Sequence, residues 1–301
     1  MIKGFFKWLT ITFLLLCFIV VIYYYYLSVS FDSENLPENH GKVHSKLYLG
    51  KGNNLPLIVG LGGSEGGNAW TSDRWKNQRE KFLSDGYAFL AIGYFSMPGI
   101  PEKLDRISLE GVNQAIIEAA NHSQINQNCI ALIGGSKGAE LSLSLASRFS
   151  HIKSVVAIVP GHAVFAGITD LMSTSSWTYK NKPLPFFTVP WSALPALITG
   201  NLRGAFEAII KNEIDTKQAI IPVENINGSI LFISATKDEM WPSSEMSEMM
   251  IKRLSTNYFK FPYNHIAIEG GHSAPLAHFD KIEIFLKNNF QSELQNNCAR
   301  N

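Results

Sequence analysis

The 301-residue sequence predicts an α/β fold: a mostly parallel central sheet flanked by helices, with an inserted cap, preceded by one N-terminal transmembrane helix. Three observations predict it. Short apolar runs alternate with longer amphipathic ones from Val43 onward, residues 8–27 carry no charge, and residues 160–225 interrupt the alternation. With 46% hydrophobic residues the chain is not disordered, and 26 Lys and Arg against 25 Asp and Glu leave no basic field for a nucleic acid.

The first element runs from Trp8 to Leu27. Twenty residues rising about 1.5 Å each reach roughly 30 Å, the thickness of a hydrocarbon core. Thr10 and Thr12 can bond their own helix backbone, and Tyr23, Tyr24, Tyr25 and Tyr26 form the aromatic belt expected at a lipid boundary. The run exceeds the apolar region of a signal peptide and no small-residue cleavage pattern follows it, so residues 1–30 are expected to stay as an uncleaved anchor. Lys3 and Lys7 precede the span, whereas Asp32, Glu34 and Glu38 follow it. The N-terminus is therefore expected in the cytoplasm and the body, residues 31–301, on the non-cytoplasmic side. The three cysteines make no disulfide framework.

Strands are expected near residues 43–49, 55–61, 87–93, 129–134, 154–159, 229–235 and 264–269. Helical spacing appears at Leu109, Val112, Ile116, Ile117 and Ala120, again at Met246, Met249, Met250 and Leu254, and finally at Phe279, Ile282, Phe285 and Leu286. Between Pro160 and Asn225 no clear strand is visible, yet Trp177, Phe186, Phe187 and Trp191 argue against disorder. This stretch, about 160–225, is expected to be a cap inserted between sheet strands, with a helix over Leu202–Asp215.

The strand ending at Ile133 runs into Gly134-Gly135-Ser136-Lys137-Gly138, a G-x-S-x-G turn that exposes a serine hydroxyl at the head of a helix. Gly62-Gly63-Ser64-Glu65-Gly66 matches the same pattern. Its position after an early strand suits a donor of oxyanion amides, from Ser64 or Glu65, whereas Ser136 follows a later, central strand and suits the nucleophile, with the Lys137 amide beside it. Glu140–Ser147 alternates with period two, but a strand there would leave no room for a parallel crossover, so a helix is expected.

A serine nucleophile needs a base and an orienting acid. The strand Gly228–Ala235 leads to Asp238, and the last strand leads through Gly270-Gly271 to His272, giving the chain order of nucleophile, acid and base that this turn requires. Glu239 is the nearest substitute for the acid. His265 sits at the start of its strand, near the opposite edge of the sheet, and His278 lies within the final helix. A dinucleotide loop is excluded because Glu65 occupies the third glycine position, and the His272–His278 spacing matches no zinc motif. No cofactor and no metal is expected.

These residues resemble the C-terminal catalytic domain shared by acyl-CoA thioesterases and bile acid-CoA:amino acid N-acyltransferases. The matching pieces are LGGSEGG (61–67), GYAFLAIGYF (86–95), IALIGGSKGAELSLSLAS (130–147), SSWTYKNKPLPF (175–186), IPVENINGSILFISATKDEMWPSSEM (221–246) and HIAIEGGHS (265–273). The resemblance implies an α/β-hydrolase acting on acyl thioesters or related esters, its nucleophile at Ser136, acid at Asp238 and base at His272. Amidating members use cysteine as nucleophile, so serine here implies transfer to water. The resemblance does not extend to the family's N-terminal β-domain, and the membrane anchor is no part of its pattern.

The expected reaction is hydrolysis through an acyl-enzyme on Ser136, with Trp177, Phe186, Phe187 and Trp191 forming an apolar wall for the acyl chain. The expected partners are a small-molecule acyl ester or thioester and, through residues 8–27, a membrane. Acyl-CoA is cytosolic, so a body facing away from the cytoplasm conflicts with a CoA substrate. An envelope carboxylesterase or lipase-like hydrolase would share every catalytic residue. A peptidase of the same fold and a non-catalytic membrane-tethered binding module are the remaining alternatives.

Overall fold

Apolar runs that alternate inward on both sides must be buried on both sides, and the sheet shows how. The computed structural model describes residues 2–211 and 216–291. Its strands are β1 (His44–Tyr48), β2 (Leu55–Leu61), β3 (Ala88–Gly93), β4 (Ile107–Ser108), β5 (Ile125–Gly135), β6 (Ile152–Ile158), β7 (Trp177–Tyr179), β8 (Lys182–Pro183), β9 (Ser229–Ala235) and β10 (Tyr263–Ile268). Its α-helices are α1 (Ile2–Ser30), α2 (Lys76–Ser84), α3 (Leu109–Ala120), α4 (Lys137–Ala146), α5 (Leu194–Ile198), α6 (Leu202–Ile210), α7 (Thr216–Ala219), α8 (Ser243–Thr256) and α9 (Phe279–Leu286).

The main sheet has seven strands in the order β1-β3-β2-β5-β6-β9-β10, parallel except for β1, which runs antiparallel to β3. Period two sorts each strand between two cores. Ile130 and Leu132 of β5 point toward α3, α4 and α8, whereas Cys129, Ala131 and Ile133 point toward α2 and α9. Each leucine or isoleucine among them, fully buried, stabilises the fold by about 1.5–3 kcal/mol before chain entropy is subtracted. Cys17 is free, and the buried Cys129 is disulfide-bonded.

The period-two stretch Glu140–Ser147 lies in a helix and its first flanking residue, as the crossover argument requires. All ten residues of α4 are buried, so no polar face is needed. The Ser142 hydroxyl turns back to the Gly138 carbonyl at 2.8 Å, hiding its polarity within the helix. A Cβ at Gly138 would press into the carbonyl oxygens of Gly62 and Leu61, 2.6 Å from the latter, so only glycine lets α4 lie this close to the end of β2.

Helix α2 and the cap depart from the sequence expectation. Helix α2 was not expected, because it buries only Arg79 and Phe82 and carries no apolar stripe. The cap does contain strands: β7 and β8 join β4 in a three-stranded sheet, each too short to show a period. The helix expected over 202–215 spans Leu202–Ile210, and residues 212–215 lie outside the described residues.

Within α1, Phe5–Ser30 is long and apolar enough to cross a membrane. Its exit is fixed to the body by Arg106, which is 2% exposed and ion-paired to Asp105 at 2.8 Å. The guanidinium also donates to the carbonyls of Asp32, Ser33 and Asn35 at 2.8, 2.9 and 2.7 Å. A buried cation with these partners makes the segment after the helix a docked strap.

Candidate active site

Strand β5 ends at Gly135 and α4 begins at Lys137, so Ser136 must turn the chain alone. It does so at φ 53° and ψ −119°, a backbone conformation that side-chain-bearing residues rarely adopt and that a tight strand-to-helix turn imposes. The strain is held by neighbours: the Ser136 N–H donates to the Ile158 carbonyl at 2.9 Å, and its carbonyl accepts from Ala139 N at 2.9 Å.

Asp238 follows β9 and is fully buried. Its Oδ1 accepts from His272 Nδ1 at 2.8 Å and from Met240 N at 3.0 Å, while Oδ2 accepts from Ser243 Oγ at 2.6 Å. Burial pushes the carboxyl pKa up, but hydrogen bonds from His272 and Ser243 outweigh it and hold the group below its ordinary value. With Nδ1 engaged by the carboxylate, Nε2 is the ring nitrogen left to accept a proton.

The loop carrying His272 is fixed by Glu239, whose Oε2 accepts from His272 N at 2.9 Å. Glu239 therefore supports the backbone and leaves the ring to Asp238. Arg203 of α6 donates to the Asp238 carbonyl at 3.1 Å and pairs with Glu207 at 2.9 Å and with Glu245, tying the cap to this turn. His265 bonds Ser234 Oγ at 2.7 Å inside the sheet.

Ser136 and His272 line one cavity of about 480 Å³, within the range of small-molecule sites. Trp70, Trp75, Leu276 and Phe279 form its apolar wall, with Arg74 and Glu65 as charged lining groups. Gly63 lies where a Cβ would be 3.4 Å from the Ser136 Cβ, and it lines the cavity together with Gly62 and Glu65. Ser64, the other residue of the expected pair, is absent from that lining. Tyr94 holds the turn through its hydroxyl, which donates to the Gly62 carbonyl at 2.6 Å. Among the described residues no cluster of three His, Cys, Asp or Glu could hold a metal.

None of the four cap aromatics expected to form the acyl wall lines this cavity. Trp177 is fully buried and donates its Nε1–H to Glu140 Oε1 at 2.8 Å. Phe186 packs against the core, Phe187 lines a second cavity of about 500 Å³ with His162 and Met250, and Trp191 is 84% exposed. Aromatic composition alone could not distinguish core from wall. Trp70, Trp75 and Phe279 carry no sequence signal of a shared wall because they arrive from distant loops and the last helix.

Behind Ser136 lies a buried ion pair, Lys137 Nζ to Glu140 Oε2 at 2.7 Å. Glu140 Oε1 accepts from Phe165 N at 3.1 Å as well as from Trp177, so the carboxylate joins the turn to two cap residues. Burial pushes the carboxyl pKa up and the ammonium pKa down, against their mutual attraction.

Comparison with known proteins identifies relatives of this chain. The family described as BAAT / Acyl-CoA thioester hydrolase C terminal matches residues 107–285. Acyl-coenzyme A thioesterase 5 of Mus musculus is 26% identical over 259 residues, covering 82% of this chain and 58% of the relative. Acyl-coenzyme A amino acid N-acyltransferase 1 of Mus musculus is 29% identical over 216 residues, covering 71% and 47%. The chain thus spans about half the length of the curated relatives it matches. Among solved structures, the alpha/beta hydrolase GrgF from Penicillium sp. sh18 superposes with a TM-score of 0.53 at 12% identity, covering 83% of this chain and 99% of that one. At that identity the likeness establishes the fold, an α/β-hydrolase.

Two outcomes follow from these contacts. Glu140→Gln leaves the buried Lys137 unpaired and should lower the unfolding free energy in denaturant titration by about 3–5 kcal/mol, with most of the loss recovered in Lys137→Met/Glu140→Gln. Because the native carboxyl of Asp238 titrates below its ordinary 3.8, its contribution is complete above that value and is lost as the pH falls through the lowered one. Acid titration of stability should therefore be steeper in this range for wild type than for Asp238→Asn, and equal slopes would refute the linkage.

Proposed function

Because the chain belongs to the BAAT / acyl-CoA thioester hydrolase C-terminal family, we propose that it hydrolyses acyl thioesters or esters through Ser136, His272 and Asp238. The observation that carries this reading is the 2.8 Å bond from His272 to the buried Asp238 beside a cavity that Ser136 also lines. Ser136 Oγ attacks the acyl carbonyl carbon while His272 Nε2 takes its proton, and Asp238 stabilises the imidazolium. The Lys137 amide, at the head of α4, and the amide of Ser64 or Glu65 donate to the oxyanion. His272 returns the proton to the leaving thiol or alcohol. Water, activated by the same nitrogen, then releases the acid from Ser136.

The leaving group has two readings. Family membership supports coenzyme A. The cavity lining supports a simpler ester, because it includes one cation, Arg74, and one carboxylate, Glu65, a poor match for a ligand with several phosphates.

The body is proposed to face the non-cytoplasmic side. Support comes from Lys3 and Lys7 ahead of the span.

Ser136→Ala should lower turnover by about 10³-fold or more while leaving the unfolding midpoint near wild type, and it should no longer react with a fluorophosphonate probe. Near wild-type activity in this variant would sink the assignment. Measuring the same preparation on acyl-CoA and on simple acyl esters of matched chain length decides the leaving group. For sidedness, protease added to intact cells or sealed right-side-out vesicles should digest the body, and full protection would reverse the proposed topology.

A further inference from the structure

Three apolar side chains on the cap face outward in sequence: Trp191 in the turn before α5, then Leu194 and Ile198 within it, 84%, 42% and 76% exposed. Their spacing of three and four residues keeps them on one side of the helical segment. The opposite side, Ala193 and Leu197, packs into the cap core. An exposed apolar band is costly in water and marks a surface with a partner.

The position of the band identifies the partner. Strand β1 is antiparallel to its neighbour, so His44 pairs with Gly93 at the carboxyl end of β3. The chain leaving α1 therefore joins the sheet at its carboxyl edge, the edge after which Ser136, Asp238 and His272 follow β5, β9 and β10. Arg106 docks residues 32–35 on the body, which leaves little slack between the end of the span and the domain. The band belongs to the same edge, because α5 packs on α6 and Arg203 of α6 holds the Asp238 carbonyl.

We propose that Trp191, Leu194 and Ile198 seat in the interface of the phospholipid bilayer crossed by α1, turning the cavity mouth toward the lipid, from which the acyl substrate is drawn. Tryptophan favours the headgroup level and the aliphatic pair reaches below it. The docking clause rests on α1 spanning a membrane, and the substrate clause on the hydrolase reading.

The test uses the full chain in phosphatidylcholine vesicles whose lipids carry bromine near the headgroup. The emission difference between wild type and Trp191→Phe isolates Trp191, and it should be lost to quenching and blue-shifted. An unquenched difference overturns the docking. Quenching that persists in Trp191→Phe reports Trp8 within the span, so loss of that signal too would remove α1 from the bilayer and the proposal with it. Chemical cross-linking of two copies through position 191 would assign the band to a second copy and also overturn it. In the activity arm, Leu194→Ser/Ile198→Ser should lose about tenfold or more on an ester embedded in the vesicles and keep its rate on a water-soluble ester. Equal effects on both substrates overturn the substrate clause, while the quenching arm decides docking whether or not the protein is a hydrolase.

Discussion

A carboxylate shut away from water has to find a partner for each oxygen, and Glu140 meets that demand in a way the rest of the domain depends on. Oε2 takes the Lys137 ammonium one turn back along α4, while Oε1 takes the Phe165 amide and the Trp177 indole. One side chain thereby fixes the start of the helix behind Ser136 and suspends the cap from it. Hydrophobic replacement of the pair would leave the Phe165 and Trp177 donors without acceptors, so the polar solution is enforced by the cap and not by α4 alone.

The acid side of the site is built on the same rule. Asp238 is buried and its oxygens are filled by His272, Met240 and Ser243, while Glu239 and Arg203 hold the backbone around it. The polar groups are held from several directions, which fixes their geometry. The cap contributes twice, through Trp177 behind Ser136 and through Arg203 behind Asp238, so its role in the structure is support more than enclosure. Enclosure comes instead from the Trp70–Trp75 loop and α9.

Much of the sheet was legible because burial on two faces leaves a repeated signature. Strands such as Leu55–Leu61 and Ser229–Ala235 coincide with their apolar runs, and α4 yielded to a topological argument when its own period pointed to a strand. Helix α2 and the strands β7 and β8 left no such trace, the first because it buries two residues and the others because two or three residues hold no period. The cap aromatics carry no positional signal for a related reason: an indole is equally apolar in a core, a wall or an exposed band, and only the neighbours distinguish Trp177 from Trp191.

Local chemistry along the chain determined the candidate residues. A serine between glycines after a strand, an aspartate and a histidine after later strands, and an uncharged run of spanning length are all one-dimensional facts. What the tertiary structure decided is everything that requires two distant segments to meet: the Asp238–His272 bond, the Trp70, Trp75 and Phe279 wall, and Glu140's hold on the cap. It also decided the edge at which the anchor joins. That edge follows from one strand, β1, running against its neighbours, and strand direction is set by pairing in the sheet and leaves no mark on the sequence of the strand itself.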